Sequence, residues 1–255
     1  MILLVDIGNT AIKWAILENN NLGIQQYIAY EASGLDYTLA KIWKSIDKPE
    51  AIWISNVAGT QINESITAWT TKYWQCQPNF TKTTKYKCGV KNGYKYPEQL
   101  GIDRWLALIG VYSLKIEMSC IVDCGTAVTI DILDNGQHLG GIIAPGLNAM
   151  QTALFENTYK LTSSKQILTT CNFSLANDTS NGIVFGTLYA VLGLLEYVMN
   201  SLENKPKLIL TGGDVAVLKP FLSRTYQYIP DLVLQGLKTI INHEKSSSIT
   251  VPSEY

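Results

Sequence analysis

Charged residues and histidines are both scarce in this sequence. Only 16% of its 255 residues are charged, and its 20 basic and 21 acidic side chains leave a net charge of −1 without a cluster of Lys or Arg. Nucleic-acid binding needs clustered positive charge, so we expect no nucleic-acid partner. The two histidines, His138 and His243, do not stand at a recognised spacing from other metal-ligating residue types. Histidine-based triads and His-ligated metal sites are therefore disfavoured, and acid–base chemistry is expected to use carboxylates, Lys, Tyr or Cys.

The sequence also lacks paired-cysteine motifs and long apolar runs. Its five cysteines include no CxxC pair, which indicates neither a disulfide framework nor a zinc site; we expect reduced, mostly buried thiols at Cys76, Cys88, Cys120, Cys124 and Cys171. The N-terminal apolar run reaches Asp6 after five residues without a basic segment, so it is too short for a signal peptide. No other segment approaches about 18 uncharged apolar residues, the length of a membrane span. We therefore expect a cytoplasmic protein with no membrane partner.

Apolar residues, by contrast, make up 47% of the chain, which is ample material for a buried core. One short unit occurs twice: an apolar run ends on Asp6 and is followed by a turn at Gly8, and the same layout recurs at Asp123 and Gly125, 117 residues later. A repeated unit at about half the chain length favours two related domains. We predict two α/β domains, at residues 1–116 and 117–255, which face each other.

The first of these turns contains residues that suit a phosphate site. Gly8 allows close approach of the backbone, Asn9 and Thr10 supply polar side chains, and Lys13 can neutralise phosphate charge. Asp6 can hold Mg²⁺ directly or through water. An ordinary hairpin turn explains a single motif of this kind better, but the second copy at Asp123 favours a functional site.

An adjacent Asp103 and Arg104 precede a strongly apolar helix, which the spacing predicts from Trp105 to Tyr112. The preceding lysine-rich segment, residues 79–100, is either a solvated surface loop or a flexible wall over an anionic substrate. A surface ion pair is the simpler interpretation of the two charges in isolation. A charged pair at the approach to a buried helix nevertheless needs partners or a purpose.

Two later glycine-containing junctions each follow a predicted strand and precede a predicted helix. The first runs from Gly140 to Gly146, and the second from Thr211 to Asp214. Small residues allow a ligand to lie against backbone, and a helix N-terminus favours an anion. A tight turn without a ligand would explain either junction alone.

Five motifs in this order resemble those of the type III pantothenate kinases, members of the acetate and sugar kinase, Hsp70 and actin superfamily. They are Asp6-x-Gly8-Asn9-Thr10 with Lys13, Gly101-x-Asp103-Arg104, Asp123-x-Gly125-Thr126-Ala127, Gly140-Gly141-x-Ile143-x-Pro145-Gly146 and Thr211-Gly212-Gly213-Asp214. The resemblance covers residues 1 to about 242. It implies an α/β fold of two RNase H-like, actin-like ATPase domains with ATP in the cleft between them, a homodimer, and phosphorylation of pantothenate as the first step of coenzyme A biosynthesis.

The resemblance also implies a role for each matching residue. The nucleotide would contact Asp6, Ile7, Gly8, Asn9, Thr10, Ala11, Ile12, Lys13, Thr126, Gly212 and Gly213. Pantothenate would contact Tyr94, Gly101, Ile102, Asp103, Arg104 and Thr179, with Asp103 as the base that accepts the proton of its primary hydroxyl. Asp123 would bind a monovalent cation, K⁺ or NH₄⁺, and Asp6 would bind the Mg²⁺ that accompanies ATP.

Two alternatives are also open. One is a non-catalytic accessory factor for transcription with this fold; the presence of Lys13, Asp103 and Asp123 argues against it. The other is a different actin-like enzyme, such as a sugar kinase or a polyphosphate-cleaving phosphatase. The combination of Tyr94 with Gly101-x-Asp103-Arg104 favours the pantothenate kinase, because in the family pattern it belongs to the pantothenate pocket.

Overall fold

The computed structural model describes residues 1–156 and 175–249, which form two compact units. The first unit comprises residues 1–117, 135–138 and 231–249, and the second comprises 118–134, 139–156 and 175–230. The last helix of the chain therefore belongs with the N-terminal residues. Cys171, which we expected to be a reduced thiol, lies outside the described residues; the four other cysteines are free thiols.

The described residues form both strands and helices, as expected for an α/β protein. The strands are β1 (Ile2–Ile7), β2 (Ala11–Glu18), β3 (Asn21–Leu22), β4 (Gln26–Ala29), β5 (Ala51–Asn56), β6 (Asn79–Phe80), β7 (Tyr86–Lys87), β8 (Val90–Lys91), β9 (Met118–Cys124), β10 (Ala127–Asp134), β11 (Gln137–Pro145), β12 (Lys207–Thr211) and β13 (Tyr226–Tyr228). The α-helices are α1 (Leu35–Trp43), α2 (Thr60–Trp74), α3 (Ile102–Ser113), α4 (Leu147–Glu156), α5 (Thr179–Ser201), α6 (Val215–Leu218) and α7 (Leu232–Ile249).

The first unit is organised around a sheet with the strand order β3-β2-β1-β5-β6, in which β4 also pairs with β2. Strand β1 is antiparallel to β2 and parallel to β5, and all six of its residues are buried. A cluster of three tryptophans covers the sheet, with Trp43 stacked on Trp74 at 5.5 Å between ring centroids and Trp69 edge-on to both. Aromatic rings of this size bury a large apolar area, and the cluster holds α1 and α2 on the sheet.

Helices α3 and α7 of the first unit pack closely because glycines lie where they meet. A Cβ on Gly236 would collide with the carbonyl oxygen of Leu106, and a Cβ on Gly110 would lie 2.8 Å from the carbonyl oxygen of Leu232. Neither position has room for a side chain. This contact fixes α3, whose first turn carries the Asp103–Arg104 pair.

The second unit contains a sheet with the order β13-β12-β9-β10-β11. Strand β9 is antiparallel to β10 and parallel to β12. The core of the second unit contains Cys120, Val122 and Cys124 from β9, together with residues of β10, β12 and α5. The β9–β10 hairpin therefore repeats in this unit the β1–β2 hairpin of the first, as the sequence repeat predicts.

Two local predictions need correction. Asp6 and Asp123 do not end their strands: each is the penultimate residue, since β1 ends at Ile7 and β9 ends at Cys124. Residues 79–100 are not a plain loop, because β6, β7 and β8 lie within them and Lys87 forms an ion pair with Glu244 of α7 at 2.8 Å. The lysine-rich segment is thereby attached to the body of the first unit.

Helix α5 corrects the expectation that no segment approaches the length of a membrane span. By length and composition alone it is long and apolar enough to cross a membrane. Its Leu188, Val191, Leu195 and Met199 are buried in the core of the second unit. A core helix of a soluble protein also meets a test of length and composition, so α5 is weak support for a membrane span.

Candidate active site

The turn between β1 and β2 places its polar residues at the surface above a buried carboxylate. Asp6 is 6% exposed and pairs in the antiparallel register with Lys13, which is partly exposed, while Asn9 and Thr10 at the tip are exposed. The backbone N–H of Gly8 donates to the carbonyl of Ala11 at 3.0 Å. The hydroxyl of Tyr30 donates to the carbonyl of Gly8 at 2.9 Å. The turn is therefore held by one hydrogen bond within it and by one from Tyr30, and its Asn9 and Thr10 side chains are exposed.

The predicted nucleotide residues of this turn differ in what they present. Ile7 and Ile12 are completely buried in the core of the first unit, so any contact with a ligand would use their backbone groups. Asn9, Thr10 and Lys13 offer accessible side-chain donors. A turn of this composition can bind anionic oxygens through backbone N–H groups and a lysine.

Helix α3 carries the second group of predicted residues. Gly101 lies just before its first residue, Ile102, so Asp103 is in the first turn, where the helix dipole favours a carboxylate. Asp103 Oδ1 accepts a hydrogen bond from the backbone N–H of Arg104 at 2.7 Å. A Cβ on Gly101 would lie 2.6 Å from this oxygen, so glycine provides the room that the Asp103 carboxylate occupies.

Arg104 and Tyr94 form a second contact at this point. Arg104 is 6% exposed, and its Nη1 donates to the Tyr94 hydroxyl at 2.7 Å. Its guanidinium carbon lies 5.4 Å from the centroid of the Tyr94 ring, within the range of a cation–π contact. The structure thus brings together Tyr94, Gly101, Asp103 and Arg104, which are separated by up to ten residues in the sequence.

Sequence reasoning missed two buried polar residues beside this group. Asn92, 5% exposed, accepts a hydrogen bond from the Tyr94 backbone N–H at 2.9 Å. His138, fully buried, stacks its ring on that of Tyr94 at 5.8 Å between centroids. No signal in the sequence links residue 138 to residue 94, because their proximity depends on the pairing of β8 with β11.

The turn that follows β9 is built from several segments of the second unit. Asp123 pairs with Thr211 of β12, and the backbone N–H of Asp214 donates to the carbonyl of Cys124 at 2.9 Å. Gly212 has a φ of +95°, and a Cβ there would collide with the Cys124 carbonyl and with Asp123 Oδ1. Three predicted residues, Asp123, Gly212 and Asp214, are therefore adjacent.

The Gly140–Gly146 junction also packs on this turn. The backbone N–H of Gly146 donates to the carbonyl of Thr126 at 3.1 Å, and a Cβ at residue 146 would lie 2.6 Å from that oxygen and collide with the carbonyl of Gly125. Thr126 itself is exposed. The Pro-Gly junction, for which the sequence left open a ligand contact or a tight turn, thus braces the backbone of the second predicted phosphate loop.

Burial changes the ionisation of two groups at this turn. Desolvation raises the pKa of the half-buried Asp214 carboxyl above its usual range. Burial, with the charges of Asp123 and Asp214, raises the pKa of the Cys124 thiol to about 12. Cys124 is therefore protonated at neutral pH and is not a nucleophile, which agrees with an apolar role.

Thr179, the last of the predicted substrate residues, is the first residue of α5 in the second unit and is exposed. The preceding residue, Asp178, caps this helix by accepting a hydrogen bond from the backbone N–H of Asn181 at 2.9 Å. The hydrogen bonds to Asn181 lower the pKa of the Asp178 carboxyl. The Asp123 turn is contacted by Thr211, Gly212, Asp214 and Gly146.

Within residues 1–156 and 175–249, no group of three or more His, Cys, Asp or Glu side chains is placed to hold a metal ion. When Mg²⁺ accompanies a nucleotide, protein carboxylates typically supply one or two of its ligands, and phosphates and water supply the rest. Asp6 is the carboxylate that the sequence analysis predicts for this role. Asp123 Oδ1 and the Cys124 carbonyl around Gly212 are oxygen ligands of the kind that hard cations prefer.

Comparison with known proteins identifies the family. The profile described as type III pantothenate kinase matches residues 2–201. The chain belongs to the type III pantothenate kinase family. The type III pantothenate kinase of Nitrosococcus oceani is 36% identical to it over 251 residues, covering 94% of this chain and 93% of that protein. That of Hydrogenovibrio crunogenus is 33% identical over 245 residues, covering 94% of this chain and 99% of the relative.

A solved structure shows the same fold. The activator of 2-hydroxyisocaproyl-CoA dehydratase from Clostridium difficile, with bound ADPNP, aligns with a TM-score of 0.55 at 14% identity, covering 100% of this chain and 99% of that one. The actin-like α/β fold implied by the sequence motifs is thereby confirmed. A type III pantothenate kinase uses ATP with a divalent metal, so both belong to the chemistry of this family.

Proposed function

We propose that this protein transfers the γ-phosphoryl group of ATP to the primary hydroxyl of pantothenate, which yields 4′-phosphopantothenate and ADP. This is the first step of coenzyme A biosynthesis. The observation that carries the proposal is the assembled group of Tyr94, Asp103 and Arg104 in a chain that matches type III pantothenate kinases along 94% of its length. The group pairs a partly exposed carboxylate with a guanidinium held by a tyrosine.

Asp103 is the proposed general base. Its carboxylate is partly exposed and oriented by the backbone N–H of Arg104, so it can accept the hydroxyl proton of pantothenate. In a loose phosphoryl-transfer transition state the proton leaves late, so a carboxylate of ordinary basicity is sufficient to orient the hydroxyl and accept its proton. Most of the rate enhancement then comes from positioning and from charge stabilisation of the phosphoryl oxygens.

The turns that follow β1 and β9 are the proposed phosphate-binding loops. In the first, Asn9, Thr10 and Lys13 supply accessible donors and a positive charge. In the second, Thr126 is the exposed side chain. Gly212 and Gly213 are proposed to border the adenosine, because small residues allow it to lie against backbone. The ADPNP bound to the Clostridium difficile protein supports nucleotide binding by this fold.

Two cations are part of the proposal. Asp6 holds Mg²⁺, which supplies charge neutralisation of the ATP phosphates when bound. Asp123 holds a monovalent cation, K⁺ or NH₄⁺, as the matching family position does. The carboxylate of Asp123 and the neighbouring Cys124 carbonyl are suitable oxygen ligands.

We also propose a cytoplasmic homodimer. The family resemblance is the main support, and the second unit adds exposed apolar side chains on β11: Leu139, Ile142 and Ile143 are 54%, 42% and 62% exposed. Leu139 and Ile143 have the spacing of side chains that share one face of a strand, and an exposed apolar patch is typical of an association surface. Light scattering on the purified protein measures the oligomeric state directly.

Arg104→Lys is expected to raise the KM for pantothenate by about tenfold, with the KM for ATP unchanged. Lysine keeps the charge but loses the planar fork, which both holds the Tyr94 hydroxyl and offers further N–H groups to the carboxylate or amide oxygens of pantothenate. Steady-state kinetics with each substrate varied in turn measures both constants.

The chain offers a matched control for this substitution. Arg224, its only other arginine, lies in the second unit, where its Nε donates to Glu196 Oε1 and its Nη2 donates to Glu196 Oε2, a bidentate contact. Arg224→Lys removes the same fork geometry away from the proposed substrate residues and is expected to leave the pantothenate KM unchanged. A pantothenate KM that Arg104→Lys does not alter would count against the proposed contact.

The accessory-factor and sugar-kinase alternatives are not favoured. A non-catalytic factor has no need of the proposed base, yet Asp103 is oriented by the backbone N–H of Arg104, and the absence of a side chain at Gly101 leaves room for its carboxylate. A sugar kinase or phosphatase of this fold has no need of the Tyr94–Arg104 contact. ADP release that depends on pantothenate, and not on sugars, separates these possibilities.

A further inference from the structure

His138 contacts Tyr94 from a position that solvent does not reach. Its side chain is fully buried, and its ring is nearly parallel to the Tyr94 ring, with 16° between the planes and 5.8 Å between centroids. The Tyr94 hydroxyl in turn accepts the hydrogen bond from Arg104 Nη1. One continuous set of contacts, all within the first unit, therefore leads from His138 through Tyr94 to Arg104.

Strand pairing explains why His138 lies here. Lys91 of β8 pairs in parallel with Gln137 of β11, which brings the residues just after each of them together. The backbone N–H of Gly93 donates to His138 Nδ1 at 3.4 Å. The imidazole thus contacts both the backbone before Tyr94 and the Tyr94 ring.

Asn92 also fixes the backbone of this segment. Its amide nitrogen donates to the carbonyls of Thr84 and Pro97 at 3.3 and 3.1 Å, and its amide oxygen accepts from the Tyr94 backbone N–H at 2.9 Å. Tyr94 itself belongs to no helix or strand. Its backbone is therefore fixed by Asn92, which leaves the direction of its side chain to be set by its ring contacts.

We propose that His138 is a positioning residue that acts through Tyr94 on Arg104 in the phosphorylation of pantothenate. This inference rests on the proposed function, in which Tyr94 and Arg104 contact the substrate. Stacking on the buried imidazole restricts the rotamers of Tyr94, so its hydroxyl is already placed to hold the Arg104 guanidinium before pantothenate binds. Pre-organisation of this kind lowers the entropic cost of binding.

The position of His138 argues against a role as core filler alone. A buried polar ring is unfavourable unless its nitrogens are hydrogen-bonded, and an apolar residue would fill the same volume without that cost. Here one nitrogen is used to hold the segment that carries Tyr94, and the ring face is used to orient Tyr94 itself. Both interactions converge on one side chain of the proposed pantothenate site.

The test uses the full-length protein with His138→Ala and His138→Phe. We expect His138→Ala to raise the pantothenate KM by about fivefold and to leave the ATP KM within about twofold of wild type. His138→Phe retains an aromatic face for Tyr94, so it is expected to recover most of that loss. If His138 had a purely structural role, His138→Ala would change the KM values for pantothenate and ATP alike. His138→Phe would then not restore the pantothenate KM selectively.

A double-mutant cycle shows whether the effect passes through the Tyr94 hydroxyl. Tyr94→Phe removes the acceptor for Arg104 and is expected to raise the pantothenate KM itself. Adding His138→Ala to Tyr94→Phe should then increase the KM by less than about twofold, because the contact that His138 maintains is already absent. Additive effects of the two substitutions would overturn the inference.

The remaining outcomes are also decisive. An unchanged pantothenate KM in folded His138→Ala would overturn the inference while wild-type turnover leaves the proposed function intact. If wild-type protein shows no pantothenate-dependent turnover, the proposed function fails and the inference fails with it. If His138→Ala is not recovered in folded form, His138→Asn, which keeps an acceptor near Nδ1 but lacks the ring, is measured with the same expected rise in pantothenate KM.

Discussion

Asp103→Asn is expected to lower kcat for pantothenate phosphorylation by at least about a hundredfold, which is the typical contribution of a general base. Asparagine has nearly the same shape and can still accept the backbone hydrogen bond of Arg104, so the geometry of the α3 N-terminus is preserved. It cannot accept the proton of the substrate hydroxyl. The KM for ATP is expected to stay nearly unchanged, because Asp103 is not among the proposed nucleotide contacts.

Helix α1 provides a matched control. Asp36 is the second residue of α1, as Asp103 is of α3, and it is exposed. Asp36→Asn removes the same favourable interaction with a helix N-terminus and leaves the proposed site untouched, so kcat should be that of wild type. If Asp103→Asn retains more than about a third of wild-type kcat, Asp103 is not the general base.

Gly212→Ala is expected to lower the free energy of unfolding by at least about 2 kcal/mol and to reduce ATP-dependent turnover with it. The φ of Gly212, +95°, is unfavourable for a side chain, and a Cβ would collide with the Cys124 carbonyl and with Asp123 Oδ1. The turn after β12 would have to move away from the turn after β9. Chemical denaturation of the variant, followed by circular dichroism, measures the change.

The adjacent glycine is the control for this substitution. A Cβ on Gly213 meets no other atom within 4 Å, and its φ is not in the left-handed region. Gly213→Ala should therefore leave the stability close to that of wild type. A Gly212→Ala protein that is as stable as Gly213→Ala would show that the close approach of Gly212 to Cys124 does not exist in solution.

The sequence predicted the framework of both turns because their signals are local. An apolar run, an aspartate and a glycine within a few residues specify a strand and a hairpin. This pattern occurs at Asp6 and at Asp123, and the structure has an antiparallel hairpin at each. The position of each aspartate was wrong by one residue, since strand pairing continues to Ile7 and to Cys124. Hydrophobic patterns fix the existence of strands better than they fix their ends.

The contacts that assemble the candidate site were not predictable in the same way. His138 reaches Tyr94 only because β8 and β11 pair, and a two-residue strand such as β8 has no periodicity to recognise. The return of α7 to the first unit depends on Gly236 fitting against Leu106, a contact across 130 positions of the chain. Such long-range packing is specified by shape, which a local pattern does not encode.

The family resemblance predicts which residues contact the ligands, and the structure adds the burial and the hydrogen bonds of each residue. Ile7 and Ile12 belong to the predicted phosphate loop, yet their side chains lie entirely in the core. Tyr94 and Arg104 are joined by a hydrogen bond that neither composition nor spacing indicates. The roles of these residues toward ATP and pantothenate stay predictions until the reaction is measured.

The most direct measurement is ADP release from ATP and Mg²⁺ by the purified protein, with and without pantothenate, in K⁺ buffer and again in Na⁺ buffer. We expect turnover that depends on pantothenate and is faster in K⁺, which would support both the substrate and the monovalent cation at Asp123. Equal rates in the two buffers would contradict the cation site alone. Folded, ATP-binding protein that releases no ADP with pantothenate in either buffer would contradict the proposed function itself.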